Sequence, residues 1–410
     1  MGLASPRGLG RPTRTPAARV TLAVPETIKR RGKILHLIPT LEGGGAERQL
    51  AYLGSGLRDR GWDITVASLR RGVNTELLVG AGVRLLPIKN ASPRDPLLLP
   101  RILRLIRGLD PDIVHTWLPS MDLLGGISTS LLRVPWVASE RSQPDAWPPG
   151  IRTRSRQSLI LKRARILVTN SETAVARYLE LGAREALVRC VPNGIPLEHL
   201  RSAVPADRSV VGARDDVKLI MVVGRRSEQK NLEAIIRALP RVVERIPIVL
   251  LVFGVGPLRA LLEALVRDQG LEEHVRFEGF SDAIPGWLHG ADLFLSASQV
   301  EGSPNAVMEA MACGCPMVLS DIEEHQELAG DGALYFEPTD PAALAGCVMS
   351  ALSNTEASVA RSRIASDIIE AFTVEKMVSH YEEIYSAIVR DVRGGVGRCS
   401  SRRASDSTIG

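Results

Sequence analysis

From Lys33 onward, apolar runs of strand length alternate with stretches whose apolar positions recur at helical spacing. Strands that are apolar throughout leave no face for water, so they belong to parallel sheets covered on both sides by the intervening helices. The pattern predicts strands over 33–38, 63–68, 83–88, 112–115, 135–139, 165–169 and 187–191. It then breaks: 198–216 is polar, holds Pro205 and several charges, and carries no period, which marks a linker. A second series follows over 217–223, 248–253, 274–278, 292–296, 316–320 and 333–336. The fold class is therefore α/β, with two tandem Rossmann-like, doubly wound domains facing across a cleft. The division is a basic extension over 1–32, a first domain over 33–196, a linker over 197–216 and a second domain over 217–372. A helix over 373–389 comes after the second sheet is complete and is free to pack back on the first domain. Rich in Gly, Ser and Arg, 390–410 reads as a disordered tail.

Within the second series, Ser298 to Pro316 reads SQVEGSPNAVMEAMACGCP and sets two carboxylates, Glu301 and Glu309, across the start of one helix. Ser303 is a good N-cap, Pro304 suits the first helical position, and Gly314 and Pro316 stop the run. Glu301 then lies just outside the helix and Glu309 inside it. From Ala306 to Cys313 every residue except Glu309 is apolar, so the helix is buried and this carboxylate must find hydrogen-bond donors or neutralise. A ligand can supply those donors. The helix start also aims unpaired backbone N–H groups and a partial positive charge at whatever precedes it, which suits a phosphate.

Length and charge narrow the partners. At 410 residues the chain accommodates two domains and hence a cleft between them. The formal net charge is +5, but residues 1–33 contribute a net of +7 and residues 392–410 a net of +3, leaving −5 for the body of the protein. A nucleic acid would have only the tails to bind, so no nucleic-acid partner is expected. The first 30 residues, rich in Pro, Arg and small residues, lack an apolar core of secretory length and read as a disordered extension with no cleavable signal; a transit peptide is the alternative. The longest apolar run, 246–253, is of strand length, far below the roughly 20 residues of a membrane span. Five cysteines without metal-site spacing fit reduced thiols in a cytoplasm.

In open α/β sheets ligands bind beyond the carboxyl ends of the strands, so the loops after strands hold the candidate chemistry. The first, Leu41 to Arg48, reads LEGGGAER: consecutive glycines admit close backbone approach and the following helix start favours an anion. A tight strand-to-helix turn is the plain alternative. The dinucleotide fingerprint fails, because Arg48 stands where a third glycine belongs, and a phosphate-loop Gly-Lys-Ser/Thr is absent. The second, Gly224 to Asn231, reads GRRSEQKN. Arg225 offers a planar fork and Lys230 a compact charge, a pairing suited to a diphosphate stabilised without a metal. Basic residues beside a helix start oppose its dipole and so need a reason to be there. Arg226 is left unassigned, with a solvated face as one reading. The third loop is a Gly-x-Gly turn over 253–257 and the fourth, FEGFSD, covers 277–282.

Taken together, these loops resemble the retaining glycosyltransferases of family 4 (group 1), which have the two-domain GT-B fold, over about 34–389. The most specific part is Glu301-x7-Glu309 within EGSPNAVMEAMACGCP, similar to the family's E-x7-E signature. GGGAE at 43–47, PNG at 192–194, GR and QKN within 224–231, GVGPLR at 254–259 and FEGF at 277–280 support it in the same order. The resemblance implies an enzyme that moves a hexose-type sugar from a nucleoside-diphosphate sugar to a glycan or lipid-linked acceptor, in cell-surface polysaccharide or glycolipid synthesis. It implies no cofactor and no metal. Arg225 and Lys230 would hold the diphosphate and stabilise the charge growing on it, with Glu301 facing the transferred sugar. Glu309 would accept from the ribose hydroxyls, amides around Asn305 would complete the phosphate site, and Gly279 and Phe280 would border the base. Gly44 and Gly45 of the first, acceptor-side domain would touch the donor as the domains close and exclude water. No protein nucleophile is assigned.

One departure stands out. Family members often show His-x-His where this chain has His115-Thr-Trp117. His115, Trp117 and Arg141 are taken as sugar or acceptor contacts, with His115 equally readable as a satisfied strand-end residue. Asp110-Pro-Asp112 mimics the metal-binding D-x-D of other transferases, but its proline and its place before a strand make it a turn. Residues 151–167 carry Arg152, Arg154, Arg156, Lys162, Arg163 and Arg165 around an apolar centre, and 97–109 carries Arg101, Arg104 and Arg107. Such helices suit peripheral contact with an anionic inner membrane face; solvated helix faces are the alternative. A glycoside hydrolase also needs paired acids, but Glu309 lies in an apolar helix and the cationic loop would be idle. Two rivals stay open: a sugar-nucleotide epimerase on the same scaffold, and a non-catalytic nucleotide-sugar-binding protein.

Overall fold

The computed structural model describes residues 31–90, 95–144, 150–214 and 216–405. The first domain holds β1 (Lys33–Thr40), β2 (Asp63–Arg70), β3 (Arg84–Pro87), β4 (Ile113–Trp117), β5 (Trp136–Ser139), β6 (Ile166–Thr169) and β7 (Val188–Cys190). The second holds β8 (Lys218–Val223), β9 (Ile248–Phe253), β10 (Val275–Phe277), β11 (Leu293–Ser296), β12 (Met317–Ser320) and β13 (Leu334–Phe336). Each lies on a predicted apolar run. The physical reason is burial on both faces: every residue of β4 and of β9 is buried, which an antiparallel sheet with one wet face would not allow.

The sheets run β3-β2-β1-β4-β5-β6-β7 and β10-β9-β8-β11-β12-β13, parallel throughout. In each, the winding reverses at the pair formed by its first strand and its fourth. Loops that leave such a pair diverge, and a crevice opens between them. The glycine loop follows β1, the cationic loop follows β8, and the loop carrying Glu301 follows β11, so all three gather at these switch points.

The chain crosses between domains twice, side by side. Ile195, on the way out, pairs in parallel with Thr373, on the way back. Its N–H donates to the Phe372 carbonyl (2.9 Å), and its own carbonyl accepts from the Val374 N–H (3.2 Å). Gly194 is required here: a Cβ would fall 2.7 Å from the Val374 Cα and 2.9 Å from the Thr373 carbonyl oxygen, both backbone atoms. Within the linker expected over 197–216, a helix (Leu197–Arg201) and a 3-10 turn (Arg208–Val211) form. They do so because Leu197, Leu200 and Ala213 bury themselves in the core of the second domain, a short apolar pattern hidden in a polar stretch.

The returning segment becomes the helix Val374–Ser405, which presses Met377, Val378, Tyr381, Tyr385, Ile388 and Val389 into the first domain's core. It therefore continues past the expected end at 389, and the tail expected from 390 is helical as far as Ser405. Packing of the early turns nucleates the helix, after which each added residue gains a hydrogen bond. Of the expected extension, only Arg31 and Gly32 fall among the described residues; Arg31 pairs with Glu382.

Candidate active site

The helix at the centre of the cleft is Asn305–Ala312. It starts one position later than expected. Pro304 is the N-cap, with its carbonyl accepting from the Met308 N–H at 3.1 Å, and Ser303 lies outside with its hydroxyl 3.8 Å from the Met308 sulfur. It stops as expected at Gly314, in the left-handed region at φ 65°. Glu309 is 7% exposed. Its carboxylate has a partner that sequence reasoning missed: Arg48 reaches across from the first domain, Nη2 to Oε1 at 2.5 Å. Burial alone would lower the Arg48 pKa, but Glu309 holds it above the ordinary value. The available signal was an arginine in the first turn of the helix after the glycine loop, opposite a carboxylate with no donor of its own.

The starts of two helices dock here. Asn305 Oδ1 accepts from Asn193 Nδ2 (2.8 Å) and from Gln49 Nε2 (3.3 Å). Gln49, on the helix Gly45–Asp59, also exchanges two 2.9 Å bonds with the backbone of Gly194, so the interdomain crossing and the glycine loop form one junction. Gly45 lets the helices meet, since a Cβ there would lie 2.6 Å from Asn305 Nδ2. The space over Gly44 is filled by the carboxylate of Glu47, 8% exposed, which occupies the start of this helix where an anion was expected. Burial raises the Glu47 pKa, while a backbone hydrogen bond at the helix start and, less, the charge of Arg225 draw it back.

Lys230 and Glu301, expected to face different parts of a ligand, are ion-paired, and the Ser298 hydroxyl donates to the same carboxylate oxygen at 2.7 Å. Burial would raise Glu301, but Lys230 and Ser298 outweigh it and hold the carboxyl below the usual range. Arg225 is exposed to the cleft. Arg226 is not on a solvated face: it is 1% exposed, its guanidinium lies 5.0 Å from the Phe277 ring centroid, and it donates to the Glu278 carbonyl. The Gly-x-Gly turn is explained by packing, because Cβ atoms at Gly254 and Gly256 would come within 2.0 Å and 2.3 Å of the Gly224 and Arg226 carbonyl oxygens. Phe280, 57% exposed and next to Gly279, leans over Gly43 of the first domain.

His115 and Trp117 do not reach the cleft. Both are fully buried. His115 has Nδ1 2.6 Å from the Tyr385 hydroxyl and Nε2 2.7 Å from the Ser139 hydroxyl, the satisfied strand-end arrangement. Trp117 Nε1 donates to His36 Nδ1 at 3.1 Å. The reason is that β4 is buried along its whole length, and with Tyr381 these rings form the seat of the returning helix. Arg141 does stand at the cleft: it lies 5.2 Å over Trp117, donates to Asn193, and its carbonyl abuts Gly302. Behind it, Glu140 accepts from the Arg141 N–H (3.1 Å), Arg156 Nη1 (2.7 Å) and the Tyr178 hydroxyl (2.8 Å). Arg156 is thus a 2%-exposed core ion and not part of a basic surface. It lies one helical turn before the buried Ile160, which was the available signal. Its second partner is Asp122, whose carboxyl burial pushes up to about 6 in spite of the arginine. Asp110 ends a helix in the left-handed region, and Asp112 accepts from the Lys33 N–H at 2.8 Å, a turn at the amino ends of the central strands, opposite the loops that bear the site. Among the described residues no group of three or more His, Cys, Asp or Glu side chains is arranged to hold a metal. No helix among them is long and apolar enough to cross a membrane.

Two parallel sheets, each with its switch point on a shared cleft, give the two-domain GT-B fold. The family model for Glycosyltransferase Family 4 matches residues 43–199 and that for Glycosyl transferases group 1 matches residues 204–367, and the chain belongs to this group 1 family. It is similar to an uncharacterized glycosyltransferase of Methanocaldococcus jannaschii, 33% identical over 36% of this chain and 39% of that one. The chain thus spans about two fifths of the length of that relative. It is also 28% identical to the lipopolysaccharide core biosynthesis glycosyltransferase LpsE of Rhizobium meliloti, over 70% of this chain and 79% of that one. In fold it resembles Anabaena HepE, solved in complex with UDP-glucose, with a TM-score of 0.77 and 21% identity over 87% of this chain and 100% of that one.

The buried histidines give the stability a pH dependence. Burial holds His36 down to about 3, and its Nε2 has no partner among the described residues. Below the ordinary histidine value of about 6.5 the unfolded chain takes a proton that the folded chain refuses, so stability is full above that pH and falls as pH drops. His36→Asn keeps an acceptor for Trp117 but does not titrate. Urea unfolding should show the wild type losing about 1.4 kcal/mol more than this variant between roughly pH 7.5 and 5.5.

Proposed function

We propose that the protein moves a hexose-type sugar from a nucleoside-diphosphate sugar to a glycan or lipid-linked acceptor, retaining configuration and using no metal or cofactor. The observation that carries this reading is the set of charges around the Asn305–Ala312 helix: Arg225 and Lys230 before its start, Glu301 outside it and Glu309 within it, facing the glycine loop of the other domain. The donor class is supported by the UDP-glucose named in the HepE complex, and the acceptor class by the lipopolysaccharide synthesis named for LpsE. The turn at Asp110 and Asp112, far from the cleft, favours a metal-free site.

As the glycosidic bond breaks, negative charge grows on the diphosphate. Arg225, Lys230 and the N–H groups at the helix start lie where that charge develops, and in a closed, dry cleft such fixed donors act strongly. Lys230 arrives already oriented by Glu301, whose remaining lone pairs are left for the sugar hydroxyls. Glu309 takes the ribose, the amides around Asn305 the phosphates, and Gly279 and Phe280 the base, with Gly44 and Gly45 closing the site from the first domain. Arg141, beside Gly302, is the contact we assign to sugar or acceptor. The acceptor hydroxyl attacks from the face that the nucleotide leaves, with no protein nucleophile. An epimerase would release an altered sugar without any acceptor, and a binding protein would leave the donor intact.

The enzyme is further proposed to work in the cytoplasm, resting peripherally on an anionic membrane. Exposed Arg152, Arg154, Lys162 and Arg163, beside an 83%-exposed Ile151, support this; the buried Arg156 takes no part.

Arg225→Ala and Lys230→Ala should each lower kcat by about 100-fold with a smaller change in donor KM, because they act on charge present only in the transition state. Product formation at the wild-type rate in either variant refutes the mechanism. Flotation with vesicles of anionic phospholipid should carry the full chain upward at low salt and release it at high salt; equal recovery with neutral vesicles rules out the membrane contact.

A further inference from the structure

The Glu309 carboxylate sits in a stretch of helix, Ala306 to Ala312, that is otherwise apolar and offers no side-chain donor. The cations of its own domain near the cleft do not meet it: Lys230 pairs with Glu301, and Arg225 is exposed. Its partner comes from the other domain. Arg48 is itself held in place, because the next residue, Gln49, is bonded to Asn305 and doubly to Gly194. The Arg48 contact uses one oxygen of Glu309, and a carboxylate has about four lone-pair sites, so acceptor capacity is left for a diol.

We propose that Arg48 is a positioning residue for the donor: from the first domain it fixes the Glu309 carboxylate in the orientation that receives the ribose hydroxyls, so the ribose site is complete only when the domains are closed. This rests on the reading of Glu309 as the ribose contact. It gives the failed third glycine of the loop a function. It also couples nucleotide recognition to closure, since opening the cleft separates Arg48 from Glu309.

The test uses the full chain as wild type, Arg48→Gln, Arg48→Lys and Glu309→Ala. Calorimetry measures Kd for uridine, guanosine or adenosine diphosphate, whichever raises the wild-type melting temperature, and for the same nucleotide with a dideoxyribose lacking both hydroxyls. Arg48→Gln should weaken the ribonucleotide by about tenfold, the loss of one well-placed charge-assisted contact, and the dideoxy analogue by less than about twofold. Arg48→Lys should recover most of the loss, and donor KM should rise in Arg48→Gln while kcat stays near wild type. Unchanged or tighter ribonucleotide binding in Arg48→Gln, with Glu309→Ala still weakened, overturns the positioning role and leaves the ribose reading intact. Equal weakening of both nucleotides by Arg48→Gln also overturns it, since that is a general loss of docking. If Glu309→Ala itself binds the ribonucleotide like wild type, the ribose reading fails and this role fails with it.

Discussion

A carboxylate in an apolar helix must be met by a cation or hydrogen-bond donor, and here it is met from across the cleft. That single requirement ties the two domains together. The Asn305–Ala312 helix can stay buried around the Glu309 carboxyl because Arg48 faces it, and Arg48 can face it because Gln49 and Asn193 pin the two helix starts to each other through Asn305. Glu301 repeats the solution inside its own domain with Lys230 and Ser298. Neither pair gains much as an isolated ion pair, since desolvation offsets much of the attraction. What the pairs provide is orientation of the polar atoms lining the cleft.

Around that junction the backbone is drawn in by glycines whose reasons differ. Gly45 admits Asn305, Gly194 lets the two crossing segments of chain lie side by side, and Gly254 and Gly256 let one turn close on the carbonyls of the cationic loop. The cationic loop is therefore rigidly backed, and the buried Arg226 beneath it acts as a structural post while Arg225 remains open to the cleft. On the opposite wall, Glu140 and Arg156 do the same for Arg141, by gripping the backbone just beyond β5.

The positions of the strands were legible because parallel strands buried on both faces must be apolar throughout, and β4 and β9 are the clearest cases. The loops that bear the site were legible because strand order and glycine content fix where backbone comes close to a ligand. Side-chain partnership was not. Nothing in the run from Arg152 to Arg165 separates Arg156 from its neighbours except one turn of spacing to Ile160, and burial reverses its meaning. Arg48 looked like a failed glycine, because the carboxylate that explains it lies in the other domain. His115 and Trp117 sat at the right strand end for a ligand, yet the returning helix, laid down by the last part of the chain, covers them. The linker misled for the opposite reason, as Leu197, Leu200 and Ala213, scattered in a polar stretch, anchor it.

The central claim is that a nucleoside-diphosphate sugar is held without metal between Glu309 and the cationic loop. The most direct measurement is the melting temperature of the full chain with uridine, guanosine and adenosine diphosphate sugars, in the presence of a chelator, for the wild type and Glu309→Ala. One base series should stabilise the wild type by mass action and lose most of that effect in Glu309→Ala. Stabilisation by none of the donors, or equal stabilisation of both proteins, would contradict it.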